Sequence, residues 1–335
     1  MRRRSFIQKA FLFTFSLTSL KSLDSCSWFS LAKSVKKLKF GIISPDSQDN
    51  QKLILETFLA DMSQKIGIPV EAVYSNQYGE IIEAMRFNKI HIAWYGGMSY
   101  IEAVKVADAE VFAQTVNLDG SKGYYSYLIM NKNHPGLRQA KKMGGDKYLL
   151  AHAAELSFAF NNPQSTSGFL VPFYQIFAHN QVDPQTIFTD LNFVGNHEAT
   201  ALAIVNNQVD IATTNNKFLS CLAKKNPDLV DSIEVIWQSN LIPSDPITYH
   251  RDLPQNIKKV LEEFFYNYTK SETLRALGCS KFAPAEDSTW NSIRELNIAR
   301  KIFEIDSNKS LSQEQKNKKI TELKEELEQI KYSKK

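Results

Sequence analysis

The spacing of apolar residues predicts alternating strands and helices in the first half of the chain. "KLKFGIIS" (residues 37–44) is a short apolar run that stops before a proline, as a buried strand does. "IPVEAVYS" (68–75) and "KIHIAWYG" (89–96) are two further runs of this kind. Helix-like intervals of three and four residues separate the apolar positions that lie between these runs: Leu55, Phe58, Leu59, Met62 and Ile66, then Ile81, Ile82 and Met85. This order predicts an α/β fold with a mostly parallel sheet covered by helices.

The same pattern begins again in the middle of the chain. "LSFAFNN" (156–162) predicts a strand, residues 168–180 a helix, and "QVDIATT" (208–214) another strand. The segment at 121–132 is predicted to cross between this second unit and the first. Two α/β units in series predict two lobes.

The C-terminal tail has a different composition from the rest of the chain. From about residue 300 it is rich in Lys and Glu, and one stripe of a predicted helix carries Ile320, Leu323, Leu327 and Ile330. The stripe covers only two heptads, fewer than a coiled coil needs. The tail is therefore predicted to form one or two amphipathic helices. Packing on their own lobe is favoured over a homodimer through these helices, which stays open.

The N-terminus has the pattern of an export signal. Three arginines precede an apolar run at 11–20 that is too short to span a bilayer, and Ser30 and Ala32 suit a signal peptidase. Residues 1–32 are predicted to be a signal peptide, either of the twin-arginine type, because of "RRSFIQK", or of the ordinary secretory type. Cys26 is a weak candidate for a lipid anchor because Asp24 lies two residues before it. The mature protein is predicted to be periplasmic.

Net charge gives no sign of a polyanionic partner. The chain has 335 residues and a formal net charge of +4. Residues 1–32 hold five basic groups and one acidic group, so the predicted mature chain is formally neutral. This balance argues against nucleic acid as a partner. Since no cluster of residues has metal-ligand spacing, neither a metal nor another cofactor is expected.

The stretch "NNPQSTSGF" (161–169) places three hydroxyl side chains, those of Ser165, Thr166 and Ser167, before an apolar segment. A helix N-cap would need only one hydroxyl to accept a hydrogen bond from a free backbone N–H. Three in succession at the positive end of a helix could also surround an oxyanion with donors. The stretch by itself leaves both interpretations open.

Five segments in the same order give the chain a specific resemblance. They are "MRFNKIHIAWYGGMSYIEA", "VFAQTVNLDGSKGYYS", "NNPQSTSGFLVPFY", "GNHEATALAIVNNQVDIATTNN" and "LIPSDPI". Together they resemble the phosphonate-binding proteins that serve ABC transporters, and the resemblance extends over residues 37–298.

This resemblance implies an α/β, two-lobed periplasmic-binding-protein fold, type II-like, with the ligand cleft between the lobes and a C-terminal helical extension. It implies that residues 33–130 and 243–300 form the first lobe, 131–242 the second lobe and 301–335 the extension. The implied function is capture of phosphonate or phosphite and its delivery to the permease of an ABC importer. An exported sensor of the same ligands is the alternative.

The resemblance also assigns roles to individual residues. Three hydroxyls match the loop that grips the phosphonate group, a histidine reaches the same oxygens, two tyrosines wall the cleft, and an acid lies on the segment that returns to the first lobe. The implied ligand-binding residues are Ser165, Thr166, Ser167, His197, Tyr78, Tyr124 and Asp245. Hydroxyls, backbone N–H groups and a histidine can supply the donors that a buried oxyanion requires.

Lys217 is predicted to control specificity, because members of the family that grip an aminoalkylphosphonate carry a glutamate at the aligned position. A cation there would repel a ligand ammonium if it pointed into the cleft, and would be neutral if it lay on the surface. In both cases phosphite or short alkylphosphonates are predicted to bind more tightly than 2-aminoethylphosphonate.

Catalysis is the competing function class. Ser165, His197 and Asp245 could imitate a nucleophile, a base and an orienting acid in a phospho-ester hydrolase. Since no G-x-S-x-G sequence surrounds these serines, the chain is predicted not to be an enzyme.

Overall fold

The computed structural model of the protein describes residues 35–43 and 48–332, and for residues 48–54 it describes the backbone alone. The predicted signal peptide at 1–32, including Cys26, lies outside the described residues. Within the described part of the chain, none of the helices combines the length and apolar character needed to cross a membrane.

Thirteen strands and thirteen α-helices follow one another along the described residues. The strands are β1 (Leu38–Ile43), β2 (Val70–Ser75), β3 (Ile92–Trp94), β4 (Ala109–Val116), β5 (Gly123–Tyr124), β6 (Ser126–Asn131), β7 (Ser157–Phe160), β8 (Asp190–Phe193), β9 (Ile211–Asn215), β10 (Ile233–Gln238), β11 (Ile242–Pro243), β12 (Pro246–His250) and β13 (Lys281–Pro284). The helices are α1 (Gln48–Ile66), α2 (Tyr78–Arg86), α3 (Gly97–Val106), α4 (Leu137–Met143), α5 (Gly145–Ala151), α6 (Pro184–Ile187), α7 (His197–Val205), α8 (Asn216–Lys225), α9 (Pro227–Asp231), α10 (Gln255–Tyr266), α11 (Ser271–Ala276), α12 (Asn291–Ser307) and α13 (Gln313–Tyr332).

One further helix, at residues 166–180, has an irregular backbone. It contains π-helical segments at Thr166–Leu170 and Phe173–Phe177 and ends in a 3-10 turn at Ala178–Asn180. It begins two residues before the predicted start. Another 3-10 turn, Asp287–Trp290, leads into α12.

The strands form two main sheets, one in each lobe. The first lobe contains a six-stranded sheet in the order β13-β4-β12-β3-β1-β2, and the second a five-stranded sheet in the order β10-β6-β9-β7-β8. A small third sheet joins them, because β5 pairs with β11 where the chain passes from one lobe to the other and back. The predicted crossing segment at 121–132 is therefore divided between β5, at the crossing, and β6, inside the second sheet.

The prediction of mostly parallel sheets is wrong. In the first sheet β1 pairs in parallel with β2 and β3, but β12 runs antiparallel to both β3 and β4. In the second sheet β6 likewise runs antiparallel to β9 and β10. The double crossing accounts for four of these pairs, because β6 and β12 enter each sheet directly from the other lobe and run against their neighbours. In the first sheet β13 also runs antiparallel to β4.

Helices cover both faces of each sheet, as the apolar spacing predicts. In the first lobe the α1 residues Phe58 and Met62 are fully buried with Phe40 of β1, and the α2 residues Ile81 and Met85 are buried on a separate face. In the second lobe the helix at 166–180 packs with α4 and α5 on one side, and α7 and α8 pack on the other. Because the helices cover the faces of the sheets, the carboxyl ends of the strands remain available to line the cleft.

The C-terminal helices pack on their own chain. The stripe of Ile320, Leu323, Leu327 and Ile330 is half-buried, and α13 packs against α12. An ion pair of 2.8 Å between Lys105 of α3 and Glu326 adds a link to the first lobe. This arrangement fits the favoured alternative, and a homodimer through these helices has no support here.

Helix α12 contacts both lobes. Near its start, Trp290 and Ile293 are fully buried in the core that also holds α2 and α3 of the first lobe. Near its end, the ring of Phe303 packs at 5.9 Å from that of Phe173 in the second lobe. Helix α12 therefore spans the two lobes beside the two strand crossings.

Candidate anion-binding site

Five helices begin at the cleft, and each follows the carboxyl end of a strand. They are α2 after β2, α3 after β3, the helix at 166–180 after β7, α7 after β8, and α8 after β9. The carboxyl ends of strands are where open α/β sheets place their ligands. The positive ends of helix dipoles and their free N–H groups favour an anion there.

The hydroxyl of Ser165 caps the helix at 166–180. Its Oγ accepts a hydrogen bond of 3.0 Å from the backbone N–H of Gly168. Gly168 has no room for a side chain, since a Cβ there would lie 2.3 Å from the Cβ of Asn161. The glycine therefore lets the turn of Ser165, Thr166 and Ser167, here called the Ser-Thr-Ser turn, close tightly over the end of β7.

Thr166 joins the Ser-Thr-Ser turn to the first lobe. Its Oγ1 accepts a hydrogen bond of 2.8 Å from the backbone N–H of Met98, in the first turn of α3. Both residues are buried, with Thr166 only 3% exposed. The N-termini of two helices, one from each lobe, thus meet at this hydroxyl.

Ser167 connects to His197 through an amide that the sequence analysis did not include. The Nδ2 of Asn215 donates to Ser167 Oγ at 3.1 Å and to His197 Nε2 at 3.0 Å. His197 Nδ1 lies 3.3 Å from Thr214 Oγ1. Because Nε2 accepts, the imidazole proton is on Nδ1 and is donated to Thr214. His197 therefore contacts the Ser-Thr-Ser turn through Asn215.

The two predicted tyrosines close over the same turn. The phenol of Tyr78 lies beside the Ser165 hydroxyl, and the phenol of Tyr124 lies beside the hydroxyls of Thr166 and Ser167, which partly oppose the rise in pKa of the two phenols. Burial raises the pKa of Tyr78 to about 12. Burial also raises the pKa of Tyr124 well above its usual value, and the Asp245 carboxylate adds to this rise. Both phenols therefore keep their protons at neutral pH and can donate hydrogen bonds.

Buried side chains around the Ser-Thr-Ser turn are uncharged. Burial lowers the pKa of His197 to about 3, so its imidazole is neutral at physiological pH. The charges of the site lie at its edge, where Lys217 Nζ is 3.6 Å from Asp245 Oδ2. Lys217 and Asp245 are only partly exposed, with 28% and 24% of their side chains accessible. Lys217 thus lies against Asp245 at this edge of the site.

The structure thus brings all eight predicted residues into one cluster. Hydroxyls, phenols and an amide, held on the first turns of helices, can bind the oxygens of a small anion. Comparison with known proteins identifies its class: residues 40–290 match the family described as the periplasmic phosphonate-binding component of ABC transporters. The chain belongs to this family.

Close relatives agree with the family match. The phosphonates-binding periplasmic protein of Escherichia coli is 40% identical over 325 residues, which cover 96% of this chain and 92% of that protein. A binding-protein component of an ABC phosphonate transporter from Pseudomonas aeruginosa is 39% identical. Its crystal structure matches with a TM-score of 0.81 over 89% of this chain and 97% of that one.

A more distant relative shares the fold. PhnD1 of Prochlorococcus marinus, solved in complex with methylphosphonate, is 23% identical in the structural alignment. Its TM-score is 0.68 over 80% of this chain and 98% of that one. The resemblance inferred from the sequence and the two-lobed periplasmic-binding-protein fold are both confirmed. The chain is thus a phosphonate-binding component of an ABC transporter. Its family consists of periplasmic substrate-binding proteins and not of enzymes.

Two contributors to the site were missed by the sequence analysis. Met98 contributes a backbone N–H, and its only signal in the sequence is the preceding Gly96-Gly97 pair, which lets the start of α3 approach Thr166. Asn215 follows β9 and caps α8 by accepting from the N–H of Phe218 at 2.8 Å. Its place after an apolar strand could have marked it as a cap. Its contacts to Ser167 and His197 depend on tertiary structure.

Proposed function

We propose that the Ser-Thr-Ser turn grips the phosphorus oxyanion of a phosphonate or of phosphite. The main observation in favour of this site is that three consecutive buried hydroxyls lie where helices from both lobes begin. The remaining proposed ligand-binding residues are Tyr78, Tyr124, His197 and Asp245. We assign to His197 the role of orienting Asn215, whose amide lies against Ser167.

Binding in this site would rely on neutral donors. A buried oxyanion needs its oxygens saturated by hydrogen bonds because an unmatched buried charge is expensive. Hydroxyl and phenol protons, and N–H groups at helix starts, would replace the water that the anion loses. The three hydroxyls of the turn already accept hydrogen bonds within the protein, so binding would have little further ordering of them to achieve.

The lobe boundaries at 33–130 with 243–300, 131–242 and 301–335 remain our proposal. The sheet order supports a first crossing close to β5, a few residues before 130. Since the link from Met98 to Thr166 joins the lobes, we propose that ligand stabilises their closure. Small-angle X-ray scattering should give a smaller radius of gyration with saturating methylphosphonate. An unchanged radius would contradict closure.

The ligand would then pass to a membrane permease of an ABC importer. Export of the chain through a signal peptide at 1–32 fits the periplasmic family, and N-terminal sequencing of the mature protein from the periplasm should begin near residue 33. A lipid anchor at Cys26 would instead leave the protein in the membrane fraction, with a mature chain that begins at Cys26.

Two alternatives have less support. The relatives are named as transporter components, which gives no preference to a sensor. A hydrolase would need a base beside Ser165, but that hydroxyl accepts from Gly168 and lies beside Tyr78, whose raised pKa keeps the phenol protonated. Phosphonate incubated with stoichiometric protein should therefore be recovered unchanged, as followed by phosphorus NMR. Release of phosphate would indicate an enzyme.

Isothermal titration calorimetry tests the proposed function directly. The panel contains phosphate, phosphite, methylphosphonate, ethylphosphonate and 2-aminoethylphosphonate. We expect saturable one-to-one binding of at least one phosphonate or of phosphite. Heats indistinguishable from dilution for the whole panel would overturn the proposal.

A further inference from the structure

Lys217 crosses from the second lobe to the first. It lies in the first turn of α8, and its Nζ is 3.5 Å from Oγ1 of Thr115 in β4 as well as 3.6 Å from Asp245. Thr115 is itself buried, at 2% exposure. The ammonium of this second-lobe residue therefore lies against two residues of the first lobe.

The same ammonium lies close to the anion-binding turn. Its Nζ is 4.9 Å from the ring centroid of Tyr124, within the range of a cation–π contact. The hydroxyl of the same ring lies beside those of Thr166 and Ser167. Lys217 and the hydroxyls of the Ser-Thr-Ser turn thus lie around the same aromatic ring, so we expect the substituent of an anion held by that turn to lie near Lys217 and Asp245.

Asp245 is the carboxylate that could attract a cationic substituent, and it already has a cation. A ligand ammonium that approached Asp245 would compete with Lys217 for the carboxylate and would lie beside a like charge. Repulsion of this kind is a common basis of selectivity between similar ligands. An uncharged substituent would meet no such opposition.

We propose that Lys217 and Asp245 act as one unit, a substituent subsite in which the protein provides its own cation, so that the cleft selects phosphorus oxyanions without an ammonium group. This inference rests on the proposed function. It also goes further than the substitution at Lys217 alone, because it predicts that the two members of the pair have opposite effects on ligand choice. Removing the lysine frees a carboxylate for a ligand ammonium, whereas removing the carboxylate leaves an unpaired cation.

The test compares ethylphosphonate with 2-aminoethylphosphonate, which differ by the ammonium. Calorimetry on the full mature protein should give tighter binding of ethylphosphonate. Lys217→Met should shift the affinity ratio toward the aminoethyl ligand, and Asp245→Asn should shift it away, each by about fivefold or more, as expected for charges a few Å apart. Lys217→Arg should keep the preference of the parent.

Lys224→Met is the matched control, because Lys224 is an exposed lysine of the same helix. It should leave the ratio unchanged. If the Met variant does not fold, as judged by circular dichroism, Lys217→Gln takes its place.

Three outcomes would overturn the inference alone: tighter binding of the aminoethyl ligand by the parent, no change of ratio in the two variants, or shifts in the same direction. Failure of the parent to bind any phosphonate or phosphite would instead overturn the proposed function on which the inference rests.

Discussion

Two parts of the cleft differ in how they are built. The Ser-Thr-Ser turn is almost fully buried, and each of its three hydroxyls accepts a hydrogen bond from an uncharged donor. The Lys217–Asp245 pair is charged, partly exposed and held by a contact of 3.6 Å. One part is buried and uncharged, and the other is charged and partly accessible to solvent.

This difference separates two tasks. Directional bonds from fixed neutral groups recognise the geometry of an oxyanion, and they change little with salt or pH. A pair of opposite charges recognises the charge of whatever is attached to the phosphorus, because like charges repel without a need for precise geometry. We therefore expect the buried turn to supply most of the affinity, and the pair to supply the discrimination.

The strongest test removes a donor from the buried turn. Ser167→Ala and Thr166→Ala should each weaken binding of the preferred ligand by about 1.5–3 kcal/mol, the range for a hydrogen bond to a charged group. Calorimetry with methylphosphonate and phosphite measures this loss. Thr186→Ala, in an exposed part of α6, serves as the control and should bind like the parent. If both site variants retain the affinity of the parent for every ligand, the turn does not hold the anion.

A second test uses pH to show that the buried part is neutral. The pKa of His197 is lowered to about 3 by burial, whereas an unfolded histidine titrates near ~6.5. At a pH between these two pKa values, the imidazole is protonated in the unfolded chain and neutral in the folded one. The stability from this residue is therefore complete above about pH 6.5 and falls by ~1.4 kcal/mol per unit as the pH decreases.

Urea unfolding at pH 6.5 and pH 5 measures this slope. The parent should lose about 2 kcal/mol more between the two conditions than His197→Asn, which cannot titrate at this position. His179→Asn, at an exposed position, should keep the slope of the parent. Equal slopes in the parent and His197→Asn would show that the imidazole is accessible to protons in the folded state.

A third test separates capping from binding within the Ser-Thr-Ser turn. Ser165 accepts from the N–H of Gly168, so Ser165→Ala should reduce the free energy of unfolding by ~1 kcal/mol. Ser167→Ala should reduce it less, since the amide of Asn215 keeps His197 as a partner. Chemical denaturation without ligand compares the two. If Ser167→Ala lost more free energy of unfolding than Ser165→Ala, the main structural role would belong to Ser167 and not to Ser165.

The smallest effect is expected for the charged part. Because the Lys217–Asp245 pair is partly exposed, Lys217→Met should change the free energy of unfolding by less than ~1 kcal/mol. The same denaturation experiment, with Lys224→Met beside it, measures the difference. A loss of several kcal/mol would mean that the pair holds the lobes together rather than selecting ligands.

The C-terminal helices illustrate where prediction from sequence stops. The stripe of Ile320, Leu323, Leu327 and Ile330 predicts an amphipathic helix, and the structure has one in α13. The stripe does not indicate which surface covers it, because an amphipathic face can pack against any apolar surface. The contact of Phe303 with Phe173, which makes α12 span the lobes, likewise depends on residues 130 positions apart in the sequence.

Local pattern was enough to predict several of the strands and helices, and the order of the motifs was enough to indicate the family, because both are carried by neighbouring positions. Only the tertiary structure decided that β6 and β12 run antiparallel, that the N–H of Met98 reaches Thr166 from 68 residues away, and that Lys217 pairs with Asp245. A backbone amide carries no residue-specific signal, and the direction of a long side chain depends on what lies opposite it. Both are set when distant segments pack together.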